Sequence, residues 1–188
     1  MPEGAADPGG ERKPAGPSVA MRARAVRLLI LDVDGVLTDG RLYYGPDGSE
    51  YKAFHAQDGS AMKMLMQAGV PIAIITGRRS EAVTRRAQEL GVRWLYDGVA
   101  DKAQALARLV AESGVEALHM AHVGDDIADL ALFDRVGLSF SVPDGHPLVT
   151  AAAHCVTERA GGAGAVQEVC NLILHAQGKW KAALEASL

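Results

Sequence analysis

The sequence predicts an α/β fold: a Rossmann-like three-layer sandwich with a central parallel sheet, plus a small β-hairpin in place of a cap domain. Two observations carry this. Short β-type apolar runs alternate with stretches of helical periodicity from residue 27 onward, and one hairpin-like segment breaks the rhythm. Strand and helix in alternation imply right-handed βαβ units and a sheet covered on both faces.

The first run is RLLILDV (27–33), apolar until it meets Asp32. GRLYYGPDGSEYKAF (40–54) then sets two β-prone runs about GPDG, a hairpin signature, with Asp39 at its entry. VPIAIIT (70–76), VRWLY (92–96), ALHMAHV (117–123) and GLSFSV (137–142) supply the other strands. Between them, Val83, Ala87 and Leu90 keep helical spacing after a capping Ser80, and Ala103, Leu106 and Val110 do so after Asp101.

A chain of 188 residues suits one domain with a sizeable core, and 48% hydrophobic with 22% charged residues describes an ordinary globular protein. The Pro-, Gly- and Ala-rich residues 1–25 lack the apolar stretch of a signal peptide and are expected as a disordered tail; the domain is expected over 26–180, with a tail at 181–188. A formal charge of -4 gives no reason to expect nucleic acid, and no run approaches the ~20 apolar residues of a membrane span. Cys155 and Cys170 fit no CxxC or zinc spacing, so they are read as core residues of a cytoplasmic protein. A small molecule is the expected partner.

In an open α/β sheet the ligand site lies outside the carboxyl ends of the strands. The first strand ends in Asp32 and Asp34, the second in Thr76, Gly77 and Arg78, and the fourth in Gly124, Asp125, Asp126 and Asp129, while Lys102 opens a helix. Acids, a hydroxyl and a lysine on one edge suit phosphoryl transfer. Carboxylates can hold a hard cation such as Mg²⁺, and lysine and hydroxyl can neutralise phosphoryl oxygens. The DVDG stretch fails as a calcium-binding loop, because Tyr43 stands where that loop needs glutamate. His119 and His122, three apart in a strand, face opposite sides and are read as structural.

These motifs, DVDGVLTDG, IITG, DK and GDDIAD, resemble the haloacid dehalogenase (HAD) superfamily of phosphatases. KAFHAQDG, AIITGRRS, VGDDIAD and GGAGAVQEV extend the likeness to its cap-less branch acting on a sugar acid, 3-deoxy-D-manno-octulosonate 8-phosphate, in lipopolysaccharide precursor synthesis. The resemblance implies Asp32 as nucleophile and Asp34 as acid/base. It implies Mg²⁺ held by Asp32, the Asp34 carbonyl and Asp125, with Asp126 and Asp129 orienting the metal shell. Thr76 and Lys102 would hold the phosphoryl group. His55, Ala56, Gln57, Asp58, Gly59 and Lys63 would contact substrate, as would Arg78 and Arg86; the family pattern often has Asn at 55 and Arg at 63. It also implies a homotetramer. The interval from Thr76 to Lys102 leaves no room for a cap, so a neighbouring subunit is expected to shield the substrate, with RAGGAGAVQEV (159–169) as a mobile lid.

Three other readings compete. A phosphatase for a nine-carbon ulosonate 9-phosphate would use the same fold, but that group tends to Glu-Lys where this chain has Arg78-Arg79. A phospho-receiver domain would place an adjacent acidic pair at the first strand end, whereas here the acids alternate. A silent oligomerisation domain has no use for the complete acid, hydroxyl and lysine set.

Overall fold

The computed structural model describes residues 17–186. Its strands are β1 (Leu28–Leu31), the hairpin pair β2 (Tyr43–Tyr44) and β3 (Glu50–Tyr51), β4 (Ile72–Ile75), β5 (Trp94–Tyr96), β6 (Met120–Val123), β7 (Leu138–Ser141) and β8 (Cys155–Val156). The helices are α1 (Val19–Arg24), α2 (Ala56–Gln67), α3 (Glu81–Leu90), α4 (Lys102–Ser113), α5 (Leu130–Phe133), α6 (Pro147–Ala152), α7 (Ala165–Ala176) and α8 (Trp180–Glu185). Six strands form one parallel sheet in the order β5-β4-β1-β6-β7-β8, and β2 pairs antiparallel with β3.

Alternation along the strands builds two cores. Leu29 and Leu31 of β1 join Ile72, Ile74, Val123 and Phe140 under α1, α2, α3 and α7; Leu28 and Ile30 point the other way, to Ala105, Leu106 and Leu109 of α4 and Leu132 of α5. Both faces are therefore covered, which is why the strands read as continuous apolar runs. The chain runs outward from β1 through β4 to β5, then returns to β6 and runs outward again. The switch point lies between β1 and β6.

Several expectations need correction. Residues 17–25 are not part of a disordered tail: Ser18 caps α1 through Met21 N, and Ala23 is fully buried against α7. Residues 1–16 lie outside the described residues. The expected tail at 181–188 is largely α8, which buries Ala183 in the same core; residues 187 and 188 lie outside the described residues. The run 117–123 is a strand only from Met120, because Ala117–His119 form a 3-10 turn, so His119 is not in a strand. Cys155 is only half-buried in β8, while Cys170 is buried, and both are free. The Gly-rich segment is packed on its own chain. Gly162 N donates to Val36 O at 3.0 Å, and Gly161 N to Asp144 Oδ1 at 3.3 Å.

Candidate active site

The site is assembled by main chain leaving the sheet. Asp32 follows β1 with its N–H still paired to Val123 O of β6 at 3.1 Å, so its carboxylate stands at the switch point. The next residues curl back. Leu37 N and Thr38 N both donate to Val33 O, and Thr38 Oγ1 accepts from Gly35 N and Gly40 N. Gly35 adopts φ 87°, and a Cβ there would stand 2.1 Å from Asp125 Oδ2, so only glycine lets the two loops approach this closely. Thr76 closes β4 and is buried. Lys102 is the first residue of α4, placed by Asp101, whose carboxylate accepts from Ala103 N and Gln104 N. A cleft of about 320 Å³ is lined by Asp32, Asp34, Thr76, Arg78, Lys102 and Asp125, among others.

The acids divide by what they touch. Asp129 is fully buried and fully engaged: Oδ1 accepts from Lys102 Nζ at 2.7 Å and faces His122 Nε2 at 2.8 Å, and Oδ2 accepts from the N–H groups of Asp125 and Asp126 at 3.2 Å each. Burial pushes its carboxyl up, but the His122 hydrogen bond with the His122 and Lys102 charges outweighs this and holds it below the ordinary value. Asp126 caps the following 3-10 turn in a reciprocal box with Asp129. Asp32 Oδ1 is 3.0 Å from Lys102 Nζ, an ion pair that Lys102 shares with Asp129.

Asp125 Oδ1 is buried without a hydrogen-bond donor, and the buried Asp32 Oδ1 has only the Lys102 ammonium beside it. Burial raises the Asp32 carboxyl, with Asp129 adding to it against Lys102. Burial also pushes Asp125 up to about 8, with help from the charges of Asp32 and Asp129. Ligand oxygens of Asp32, Asp125 and Asp129 lie within 4.8 Å of one another. With Asp129 engaged, the oxygens left over belong to Asp32 and Asp125. A hard cation between them would satisfy both and reverse their raised pKa values. The donor set fits Mg²⁺.

The comparisons with known proteins agree with this chemistry. Residues 95–169 match the model of the haloacid dehalogenase-like hydrolases. The 3-deoxy-D-manno-octulosonate 8-phosphate phosphatase KdsC of Salmonella typhimurium is 45% identical over 166 residues, 88% of this chain and 88% of the relative. The chain belongs to this phosphatase family. The crystal structure of the Yersinia pestis phosphatase superposes with a TM-score of 0.85 at 46% identity, covering 87% of this chain and 88% of that one. That of the Moraxella catarrhalis phosphatase, in complex with magnesium ion, phosphate ion and a KDO molecule, gives 0.87 at 42% identity, covering 90% and 98%.

Within this family member, only part of the expected substrate-binding set lines the cleft. Asp34, Arg78 and Lys102 line the cleft, whereas His55, Ala56, Gln57, Asp58, Gly59, Lys63 and Arg86 are not among its lining residues. Asp58 is buried, with Oδ1 accepting from Gln167 N at 2.7 Å, so it ties the start of α7 to α2. The Arg86 guanidinium lies against Gly59, where a Cβ would stand 2.2 Å from Nη2, and Lys63 lines a separate surface depression with Gln88 and Glu89. Among the described residues a larger cleft, about 570 Å³, opens at the N-terminal ends of the strands, lined by Arg24, Arg27, His119 and Lys179. Two of its cations serve helix ends: Arg24 donates to Ala176 O and Lys179 to Ala68 O.

Lys52 escaped the sequence reading. It leaves β3 with its side chain 1% exposed and bonds the Asp34 and Glu50 carboxylates, the latter at 3.1 Å. Arg78 completes the group, with Nη2 2.6 Å from Glu50 and Nε 3.8 Å from Asp34. The hairpin is thereby anchored to the side chain of Asp34, leaving that residue's carbonyl for other work. A lone lysine at a strand end carries no signal in sequence; only the fold of the hairpin over the site gives it a partner.

Proposed function

We propose that the protein is a Mg²⁺-dependent phosphatase that hydrolyses 3-deoxy-D-manno-octulosonate 8-phosphate to 3-deoxy-D-manno-octulosonate and phosphate, in the cytoplasm, for lipopolysaccharide precursor synthesis. The observation that carries it is the convergence of Asp32, Asp34, Thr76, Lys102 and Asp125 on one cleft, in a chain 45% identical to such phosphatases over 88% of its length.

Asp32 attacks phosphorus in line, an aspartyl-phosphate bond forms, and the ester P–O bond to the sugar breaks. Asp34 gives its proton to the leaving alkoxide, then takes one from the water that attacks phosphorus; phosphate leaves and the Asp32 carboxylate is restored. Lys102 and Thr76 hold phosphoryl oxygens, and Lys52 with Arg78 orients Asp34. Mg²⁺, when bound by the Asp32 and Asp125 carboxylates and the Asp34 carbonyl, supplies charge that stabilises the phosphoryl oxygens in the transition state.

A homotetramer gathered through the hairpins completes the reading. The hairpin exposes Leu42 (45%), Tyr44 (62%) and Tyr51 (60%), an apolar surface that an isolated subunit leaves in water. His55, Gln57 and Lys63 then serve the cleft of a neighbouring copy.

Phosphate release from a panel of sugar-acid phosphates, with and without Mg²⁺, tests the proposal. The eight-carbon ester is expected to give the highest kcat/KM, with activity abolished by chelation or by Asp32→Asn. Equal kcat/KM on a nine-carbon ulosonate 9-phosphate would remove the assignment to the eight-carbon sugar. Survival of activity in the Asp32→Asn protein would overturn the mechanism.

A further inference from the structure

His122 is a fully buried titratable side chain near the cleft to which the mechanism gives no work. It lies on β6 opposite Ile30 in the register with β1, on the sheet face covered by α4 and α5. Its ring meets Phe133 edge-on, with centroids 5.8 Å apart at 72°. Both nitrogens are spoken for. Nδ1 is 3.3 Å from the carbonyl oxygen of Ile30, two residues before Asp32, and Nε2 is 2.8 Å from Asp129 Oδ1.

From there a continuous chain reaches the reacting end of the site. Asp129 Oδ1 holds Lys102 Nζ at 2.7 Å, and Lys102 Nζ stands 3.0 Å from Asp32 Oδ1. The other oxygen of Asp129 fixes the loop carrying Asp125, through the N–H groups of Asp125 and Asp126. One carboxylate thus sets the position of a lysine on α4 and of a loop after β6. A carboxylate with two oxygens and four such partners is fixed only if its torsion is fixed. Lys102 is a flexible chain ending in a point charge and can follow a rotated partner. The imidazole cannot, because it is itself tied to the β1 backbone and packed on Phe133.

We propose that His122 is a positioning residue for phosphoryl transfer: it locks the Asp129 carboxylate, and through it Lys102 and the Asp125 loop, to the central strand that carries Asp32. A merely space-filling histidine would need no acceptor at both nitrogens. The inference rests on the roles given to Asp32 and Lys102.

Three variants test it, with circular dichroism and thermal melting alongside phosphate-release kinetics. The His122→Phe variant removes both bonds. His122→Gln can place an amide N–H where Nε2 stood, and His122→Asn can place one only where Nδ1 stood. The expected result is a kcat about 10- to 100-fold down for Phe, with KM within about threefold of the parent, the scale seen when a group orienting site ligands is removed. Gln is expected to recover most of that loss and Asn little of it. The proposal is overturned if Phe melts lower but keeps its kcat, or if Asn recovers activity as well as Gln. If the Phe variant does not fold, the contrast between Gln and Asn decides alone. Lys102→Met, assayed in parallel, separates the two levels: full activity there sinks the site assignment itself, whereas its loss of activity with a normal Gln-against-Asn contrast sustains both.

Discussion

Replacing Gly161 by alanine should cripple the site from a distance. A Cβ at this position would stand 1.7 Å from the carbonyl oxygen of Gly35, 2.5 Å from its carbon and 3.0 Å from Thr38 O. Carbon and oxygen approach no closer than about 3.3 Å without cost, so the two backbones must part by roughly 1.6 Å. Neither can yield easily. Residues 33–38 are curled around the Val33 carbonyl, and Gly161 is tied to Asp144 while its neighbour Gly162 bonds Val36 O. Overpacking of this kind costs about 1–3 kcal/mol, and losing the Gly162 bond adds about 1 kcal/mol. The larger effect is kinetic. Gly35 follows Asp34 directly and touches Asp125, and a misplacement of about 1 Å at reacting groups costs on the order of 100-fold. Phosphate release by the purified variant should therefore show kcat down by about two orders of magnitude at a Tm that leaves it folded at the assay temperature. Gly114→Ala is the control. That position has φ 70° with no atom within 4 Å of the added Cβ, so it should cost about 1–2 kcal/mol of stability and leave kcat alone. If the Gly161→Ala protein turns over at the parental rate, the Gly-rich segment does not brace the nucleophile loop.

Lys52→Met should lower kcat by part of the about 10²–10⁴-fold that general acid–base catalysis supplies, because Asp34 would keep only the looser contact with Arg78 at 3.8 Å. Its stability cost should fall between the about 1 kcal/mol of an exposed pair and the about 3–5 kcal/mol of breaking a buried one, since Asp34 and Glu50 are both about one-fifth exposed; urea unfolding with no change in midpoint would refute the pairing. Asp58→Asn addresses pH. Burial raises the Asp58 carboxyl above its ordinary 3.8, so the folded protein holds that proton more tightly than the unfolded chain. Ionisation of Asp58 therefore weighs against folding above its raised pKa, and the burden lifts as pH falls towards 3.8. Asparagine keeps an acceptor for Gln167 N, so the variant should melt no lower than the parent at pH 8, with the difference closing as pH is lowered. A parent that is clearly more stable at pH 8 would mean that the carboxylate charge serves a partner.

The layers and the switch point were legible because they rest on main-chain rules. Apolar runs of strand length between helical patterns force the parallel sheet, and the carboxyl ends of its strands then locate Asp32, Thr76 and Asp125 without any side-chain knowledge. What escaped depends on short elements or on partners distant in sequence. Two-residue β8 and the six-residue α1 and α8 carry too little periodicity to read, and they are held by tertiary packing on β7 and α7. His122 was read as structural from its spacing to His119, yet its ring is set by Ile30, Asp129 and Phe133, which come from other elements. The family resemblance implies a substrate contact at Asp58, and nothing in the sequence announces its hydrogen bond to Gln167 N, which depends on the approach of α7 to α2.

The charges around the cleft explain why so many acids were needed. Lys52 and Arg78 balance Asp34 and Glu50, pair for pair, at the base of the hairpin. Lys102 is bonded to Asp129, whose remaining oxygen is taken by backbone N–H groups. These two groups are close to neutral as they stand, so neither calls for an ion. The remainder is Asp125, with a buried oxygen that no donor reaches, and Asp32, which has only a share of the Lys102 ammonium already held by Asp129; both carboxyls are raised by burial. Three carboxylates around one ammonium leave a surplus of negative charge that is costly in a buried site, and a divalent cation offsets it. The run of aspartates in DVDG and GDDIAD is thus two sets interleaved in sequence: Asp34 and Asp129 are fully answered by the protein's own groups, while Asp32, which only shares Lys102, and Asp125, which has no cation of its own, are left for a metal and a phosphoryl group.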